Sequence, residues 1–311
     1  MSEFHHVSVL LEECIEALNI KPDGIYVDGT LGGAGHSSRI AAKLTTGRLI
    51  GIDRDPIALR AAGERLAPFA DRVTLVHSNF CEIASVLKEL DIPGVDGILL
   101  DLGVSSPQLD DGARGFSYMA DAPLDMRMNN EDVLTADTVV NTWSYEELKR
   151  ILYDYGEERY APQIASAICR RRETNPIRTT LELVDVIRSA MPAAALREKQ
   201  HPAKRSFQSI WIAVNDELGS VERVMADAVD CLNPEGRMAV ITFHSLEDRI
   251  VKNGMAAAAK GCTCPPGFPV CICGKKPRVK LISRKPIVST DEELERNPRA
   301  RSAKLRVCEK L

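Results

Sequence analysis

The stretch "IYVDGTLGGAGHSSRI", residues 25–40, decides the fold of this chain. An apolar run ends at an acid, Asp28, and four glycines follow within seven positions, from Gly29 to Gly35. A helical pattern begins directly afterwards. This order of strand, glycine turn and helix is typical of the first βα unit of a doubly wound sheet, where a ligand lies against the turn.

Residues at or directly after the ends of the next two strand-like runs indicate the class of that ligand. Glycines in the turn permit positive φ and remove Cβ atoms, so a ligand can approach the backbone and the N-terminus of the helix. The run "GRLIGID" ends at Asp53, where an acid can accept hydrogen bonds from a ribose diol. "HSNF" supplies Asn79 and Phe80, an amide and an aromatic plane suited to adenine. Together they predict a nucleoside cofactor.

The glycine spacing favours S-adenosylmethionine over a dinucleotide. The fingerprint G-x-G-x-x-G is not matched, because Ser38 stands where a register that starts at Gly33 requires the last glycine. Asp28, directly before the glycines, suits a ligand with a cationic amino group, and S-adenosylmethionine carries an ammonium and a sulfonium. A nicotinamide-dependent dehydrogenase is the alternative, and it should show the intact fingerprint.

Alternating strand-like and helical runs predict a parallel doubly wound α/β sheet. The strand-like runs are residues 24–29, 47–53, 72–79, 95–103 and 236–245. Residues 108–205 show only helical patterns and predict an inserted helical domain, with 1–107 and 206–311 forming one discontinuous domain. A single long helix is predicted from Ser206 to Leu232. The C-terminal runs "KLISRKPIV" and "AKLRVCEK" predict an antiparallel pair at the sheet edge.

Charge and hydropathy limit the partners of the chain. The net charge is -4, but residues 240–311 contain 15 Lys and Arg against 7 Asp and Glu. A basic end suggests an anionic partner such as nucleic acid, with solubility as the alternative. No apolar stretch is long enough to cross a membrane, and "MSEFHHVSVLLEECIEAL" does not resemble a secretory signal. We therefore expect a cytoplasmic protein without a membrane partner.

Four of the nine cysteines lie close together in "CTCPPGFPVCICG". They are Cys262, Cys264, Cys271 and Cys273. Four thiolates on a short proline-bearing loop can close around Zn²⁺ in a tetrahedral structural site. The spacing is tighter than the usual C-x₂-C pair, so a metal-free reduced loop and two redox-sensitive pairs stay open as alternatives.

Several longer blocks resemble one enzyme family. They include "VDGTLGGAGHS", "DGILLDLGVSSPQLDDGARGFSY", "HPAKRSFQSIWIAVNDEL" and "FHSLEDRIVK", and together with shorter blocks they span nearly the whole chain. These blocks resemble the bacterial MraW family of small-subunit ribosomal RNA (cytosine-N4)-methyltransferases. The resemblance implies a class I, Rossmann-like methyltransferase fold with an inserted helical domain. It also implies methylation of N4 on one cytidine in the decoding region of 16S rRNA.

The resemblance also implies a set of cofactor contacts. These residues are Ala34, Gly35, His36, Asp53, Phe80, Asp101 and Gln108. The residue-by-residue reasoning adds Asp28, Gly32 and Gly33 to this set. His36 lies in the first helical turn, so a cap or packing role and a contact through its backbone N–H stay open.

The chemistry of the amino group narrows the catalytic candidates. The lone pair of cytosine N4 is delocalised into the ring, so the nitrogen is a weak nucleophile that must be held in line with the S–CH₃ bond. An acceptor for an N4 hydrogen would assist transfer. Asp101, at the end of the fourth strand, is the first candidate, and Ser105, Ser106 and His244 follow. A structural role is the alternative for His244.

Four basic residues are candidates for contacts with RNA. We predict that they contact RNA phosphates, and they are candidates together more than singly, because phosphate contacts act additively through counterion release. They are Lys204, Arg205, Arg299 and Arg301. The inserted domain is the expected substrate-recognition domain, and the target base should be flipped or single-stranded. An RNA-binding assembly factor without turnover remains an alternative, and homodimerisation stays open.

Overall fold

The computed structural model describes residues 8–105, 108–109, 111–262, 264 and 273–311. Contacts divide the chain into two compact units, one formed by residues 1–103 with 218–311 and the other by residues 104–217. We call them the sheet unit and the helical unit.

The sheet unit contains a seven-stranded sheet in the order β3-β2-β1-β4-β5-β7-β6. The strands are β1 (Ile25–Asp28), β2 (Arg48–Asp53), β3 (Val73–His77), β4 (Val95–Asp101), β5 (Leu232–Thr242), β6 (Val279–Leu281) and β7 (Lys304–Lys310). Strands β1 to β5 pair in parallel, and β7 runs antiparallel to both β5 and β6. The predicted parallel sheet and the antiparallel C-terminal pair are therefore confirmed. The strand order reverses between β1 and β4, which is where open α/β sheets bind ligands.

Alternation along the strands supplies apolar groups to two separate cores. Tyr26 and Leu99 belong to one core, whereas their neighbours Val27 and Leu100 belong to the other. Successive side chains of a strand point to opposite faces, so both faces of this sheet are covered. The helices of this unit are α1 (Leu11–Leu18), α2 (Gly35–Lys43), α3 (Pro56–Leu66), α4 (Ile83–Glu89), α10 (Glu217–Cys231), α11 (Ser245–Ala259) and α12 (Asp291–Arg296).

The helical unit has a core of its own. Its helices are α5 (Ala136–Thr142), α6 (Tyr145–Asp154), α7 (Ala161–Thr174), α8 (Thr180–Ala190) and α9 (Lys204–Asn215). Ser144 and Thr179 begin two of them with capping boxes, in which each hydroxyl accepts a bond from the N–H three residues later. Phe116, Ile164 and Phe207 are among the fully buried side chains of this core.

The predicted long helix from Ser206 to Leu232 is wrong in one respect. Asp216 adopts a left-handed conformation, with φ 47°, and separates α9 from α10. Directly before the break, the Asn215 side chain donates to the carbonyl of Met126 at 2.7 Å and accepts from the N–H of Met128 at 2.8 Å. The helical spacing of apolar residues continues across Asp216, so the sequence pattern did not indicate that the helix ends there.

The boundary between the two units also differs from the prediction, because α9 belongs to the helical unit. The prediction assigned residues from 206 onward to the domain that contains the sheet. In the structure, α9 packs Phe207, Ile210 and Val214 into the core of the helical unit. The compact units therefore divide at 103/104 and 217/218, whereas the predicted insertion covered 108–205. Within the described residues, no helix has both the length and the apolar character needed to cross a membrane.

Candidate active site

The glycine turn between β1 and α2 uses its glycines for different reasons. A Cβ on Gly29 would lie 2.6 Å from Leu100 Cδ2, and one on Gly35 would overlap Ser8 Oγ. Gly32 has φ +47°, a conformation that glycine adopts without strain. A Cβ on Gly33 would meet no described atom within 4 Å. Packing and conformation therefore explain three of the glycines, and Gly33 borders open space that a ligand can fill.

Asp28 ends β1 as a buried carboxylate. One oxygen accepts a bond from Ser37 Oγ at 2.6 Å and the other from the N–H of Thr30 at 3.2 Å. Burial raises the pKa of Asp28 to about 6, against the lowering effect of these two hydrogen bonds. Asp28 thus joins the strand to the first turn of α2. Sequence reasoning missed Ser37 and Thr30, although hydroxyls beside a buried acid are a usable signal.

Asp53 ends β2 on the other side of the turn. Its carboxylate accepts bonds from the N–H groups of Gly32 and Asp55, each at 2.8 Å. Burial raises the pKa of Asp53 to about 6, and the nearby carboxylates of Asp55 and Asp28 act in the same direction. Asp53 therefore fixes the glycine turn from β2.

Asp101 ends β4, next to β1 in the sheet. Its backbone N–H donates to Thr30 Oγ1 at 2.5 Å. The Oδ1 atom of Asp101 is buried and has no hydrogen-bond partner among the described residues. Burial, and then the charges of Asp28 and Glu247, raise the pKa of Asp101 to about 8. A buried carboxyl oxygen without a hydrogen-bond partner is costly for the protein alone, which marks Asp101 as a candidate functional group.

His36 lies in the first turn of α2, and its side chain is next to Asp101 at the end of β4. Its Nε2 is 3.0 Å from the carbonyl oxygen of Val9. A carbonyl oxygen can only accept, so Nε2 carries the hydrogen, and in the neutral ring Nδ1 holds a lone pair. Nδ1 lies 3.8 Å from Asp101 Oδ2. The imidazole therefore faces the carboxyl with a basic nitrogen, a relation that the sequence did not reveal.

Asn79 and Phe80 follow β3, as predicted. The Asn79 side chain accepts from the N–H of Cys81 at 3.1 Å and donates to Ser220 Oγ at 3.3 Å, so both of its polar atoms are used in capping and packing. Phe80 is half-buried, and its Cβ would lie 3.1 Å from a Cβ placed on Gly29. Phe80 thus stands next to the glycine turn.

His244 begins α11 and forms its cap. Its ring accepts a bond from the N–H of Glu247, and the Glu247 carboxylate accepts from the N–H groups of Phe243 at 2.8 Å and His244 at 3.3 Å. The geometry gives His244 a structural role, which was the alternative from sequence, and its catalytic role stays a prediction. Sequence reasoning missed Glu247, although H-S-L-E has the spacing of a capping box.

Two polar candidates belong to the helical unit. The Gln108 side chain is buried and accepts a bond from the N–H of Ser105 at 3.0 Å. Ser106 lies outside the described residues. The roles of Ser105 and Gln108 in the site stay predictions.

The four predicted RNA contacts are all exposed. Lys204 and Arg205 lie at the start of α9 in the helical unit, and Arg299 and Arg301 lie before β7 in the sheet unit. Arg205 also donates to the carbonyl of Glu157 at 2.9 Å. Their accessibility suits phosphate contacts.

Three of the four predicted metal ligands come together. The sulfur atoms of Cys262, Cys264 and Cys273 lie within 4.8 Å of one another. Cys271 lies outside the described residues.

Comparison with known proteins identifies the family. The family model described as MraW methylase matches residues 3–311. Three relatives share the name ribosomal RNA small subunit methyltransferase H. That of Brevibacillus brevis is 60% identical over 309 residues, which cover 99% of this chain and 98% of the relative. The relative from Heliobacterium modesticaldum is 58% identical, and the match covers 99% of each chain. The relative from Heliobacterium mobile is 58% identical over 311 residues, which cover 99% of this chain and 100% of the relative.

The match extends over both units of the chain. The expected Rossmann-like methyltransferase fold is confirmed. This chain belongs to the MraW methylase family.

Proposed function

We propose that this chain transfers a methyl group from S-adenosylmethionine to the exocyclic N4 of one cytidine in the decoding region of 16S rRNA. Relatives with 58–60% identity are named for methylation of small-subunit ribosomal RNA, which supports an RNA substrate. Such a substrate is made in the cytoplasm, where we expect the enzyme to act. The observation that carries the proposal is the half-buried Asp101 carboxyl at a strand end, whose buried Oδ1 has no hydrogen-bond partner among the described residues.

The described residues fit a cationic nucleoside. Asp28, Asp53 and Asp101 end three strands at one edge of the sheet, and none forms an ion pair with a lysine or arginine of the described chain. Burial raises the pKa of each, so a positive charge nearby would be stabilising. The pyrophosphate of a dinucleotide would instead be repelled by these three acids. This electrostatic environment favours a ligand with ammonium and sulfonium groups over NAD.

Each part of the site has a role toward that ligand. The acid of Asp53 suits the ribose diol, and the half-buried ring of Phe80 suits the adenine plane. The open backbone at Gly33 permits close approach, and Asp28 suits the amino group. Ala34, Gly35 and His36 contribute the N-terminus of α2.

S-adenosylmethionine supplies, when bound, an electrophilic methyl group on its sulfonium. Asp101 would accept an N4 hydrogen from the cytosine as the methyl group is transferred to N4, so the proton would end on its carboxylate. The raised pKa makes Asp101 a stronger base than an ordinary carboxylate once it is ionised. The His36 ring stands beside this carboxyl, with Nδ1 3.8 Å from Asp101 Oδ2.

Binding of RNA is assigned to exposed cations and to the helical unit. Lys204, Arg205, Arg299 and Arg301 would contact phosphates and position the strand, while the flipped base enters the site. The helical unit has its own core, so it can present a rigid surface to RNA.

Transfer from S-adenosylmethionine labelled in its methyl group tests the proposal. Small ribosomal subunits, naked 16S rRNA and DNA are compared as acceptors, and nucleosides from the product are separated. We expect N4-methylcytidine from an RNA substrate, with strong reduction in Asp101→Ala and loss in Asp53→Ala. RNA binding without incorporation would indicate an assembly factor. An undiminished rate in Asp101→Ala would remove that residue from its role.

A further inference from the structure

A loop of the sheet unit carries cysteines that methyl transfer does not use. The loop leaves the end of α11 and returns to the start of β6. Its two arms meet at the base, where the N–H of Arg278 donates to the carbonyl of Ala258 at 2.9 Å. Further out, a Cβ on Gly261 would lie 3.1 Å from Cδ of Pro277. The arms therefore run side by side, which brings Cys262 on the outgoing arm near Cys273 on the returning arm.

The sulfur atoms in this loop have the spacing of metal ligands. Cys262 Sγ and Cys273 Sγ are 3.7 Å apart, and Cys264 Sγ lies within 4.8 Å of both. With Zn–S bonds of about 2.3 Å, tetrahedral coordination separates two ligand sulfurs by about 3.8 Å. A disulfide would require about 2.05 Å. The pair from the two arms thus matches one edge of a tetrahedral thiolate site.

The backbone around the sulfurs supports the same arrangement. The N–H of Cys264 points at Cys262 Sγ, 3.4 Å away, and hydrogen bonds of this kind stabilise and orient a ligating thiolate. Gly274, directly after Cys273, has φ +63°, which lets the chain turn sharply away from the sulfur cluster. The spacing, the N–H···S bond and the glycine turn are independent features of one compact site.

We propose that Cys262, Cys264 and Cys273 are three ligands of a structural Zn²⁺ ion. Thiolates are soft ligands, which excludes Mg²⁺ and Ca²⁺ as the preferred ions. Zn²⁺ is the ion of closed sites that join short loops, and it requires no redox partner. A tetrahedral ion has a fourth position, and Cys271, two residues before Cys273 in the sequence, lies outside the described residues. The ion links the two arms of the loop, and its binding energy stabilises their folded form.

Metal analysis of the full chain tests this proposal. The protein is expressed in zinc-supplemented medium without a histidine tag and purified under reducing conditions without chelators. Elemental analysis should find about one zinc ion per chain, falling below about one tenth in Cys262→Ser and Cys273→Ser. The matched control is Cys169→Ser, which changes a half-buried cysteine of α7 and should keep the zinc. Circular dichroism verifies that every variant is folded.

Cobalt gives a second readout that depends on ligand type. Co²⁺ added to the zinc-stripped chain should produce the thiolate-to-cobalt charge-transfer band and the visible bands of tetrahedral coordination, and Cys262→Ser should lose them. The proposal fails if the wild-type chain holds less than about one tenth of an equivalent and shows no such bands, or if both serine variants retain zinc. These measurements use no substrate, so their outcome is separate from that of methyl transfer.

Discussion

Replacement of Asp101 by asparagine should stabilise the protein at high pH while it impairs catalysis. The pKa of Asp101 rises from its ordinary value of 3.8 to about 8. In the unfolded chain the carboxyl ionises near pH 4, whereas the folded chain keeps its proton until about pH 8. The folded state therefore binds more protons between these values, and stability falls as pH rises through this window.

The size of the effect follows from the shift. A rise of about 4 pKa units at about 1.4 kcal/mol each sets an upper bound near 6 kcal/mol. The Asp101 side chain keeps 24% of its exposure, so contact with solvent lowers the cost of its ionisation. We therefore expect ionisation of Asp101 to lower the free energy of unfolding by about 3 kcal/mol at pH 8 and by nearly nothing at pH 4. Asparagine has a similar shape and does not ionise, so Asp101→Asn should remove the cost.

The assay is denaturant unfolding of wild type and Asp101→Asn at several pH values between 4 and 8.5, without ligand. The difference in the free energy of unfolding should grow with pH in favour of the variant. Asp248→Asn is the control of opposite sign. Although burial acts to raise its pKa, Arg306 at 2.7 Å and Lys304 at 3.3 Å hold the pKa of Asp248 below its ordinary value. That variant should lose stability above pH 4. A difference for Asp101→Asn that does not change with pH would refute the reasoning.

Four further outcomes test other parts of the site. Gly33→Ala should leave the unfolding midpoint unchanged, because its Cβ meets nothing within 4 Å, yet weaken S-adenosylhomocysteine binding in calorimetry at least about tenfold; equal affinity would place the ligand elsewhere. Asp53→Asn should lower affinity for S-adenosylmethionine by about 10- to 100-fold, the usual value of a charged hydrogen bond, with RNA binding in gel shifts preserved. His244→Ala should cost about 1 kcal/mol of unfolding free energy through loss of the α11 cap, whereas His244→Asn should keep the cap; methyl transfer by the asparagine variant then separates the two roles, because a loss supports the predicted catalytic role and full activity excludes it. Arg299→Ala combined with Arg301→Ala should reduce the slope of log K for RNA against log salt by about two, and an unchanged slope would exclude phosphate contacts at both positions.

The parallel strands, and the edge of the sheet where we expect a ligand to bind, followed from local patterns in the sequence. Short apolar runs that end in Asp28, Asp53 and Asp101 predict parallel strands, and parallel strands align their carboxyl ends at one edge. The motif "HSLE", residues 244–247, also contains the α11 capping box, whereas from sequence a structural role was only the alternative to a catalytic one for His244. Local chemistry of this kind is visible because it depends on neighbours along the chain.

What the sequence alone determined, then, was the family, the doubly wound sheet and the acids at its strand ends, since each depends on periodicity and short motifs. Only the tertiary structure decided which glycines serve packing, where α9 belongs, and that His36 faces Asp101 with a basic nitrogen. These features join residues far apart in the chain, such as Gly29 with Leu100 and His36 with Val9 and Asp101. A pKa near 8 at Asp101 likewise comes from burial and from surrounding carboxylates, and neither exists until the chain is folded.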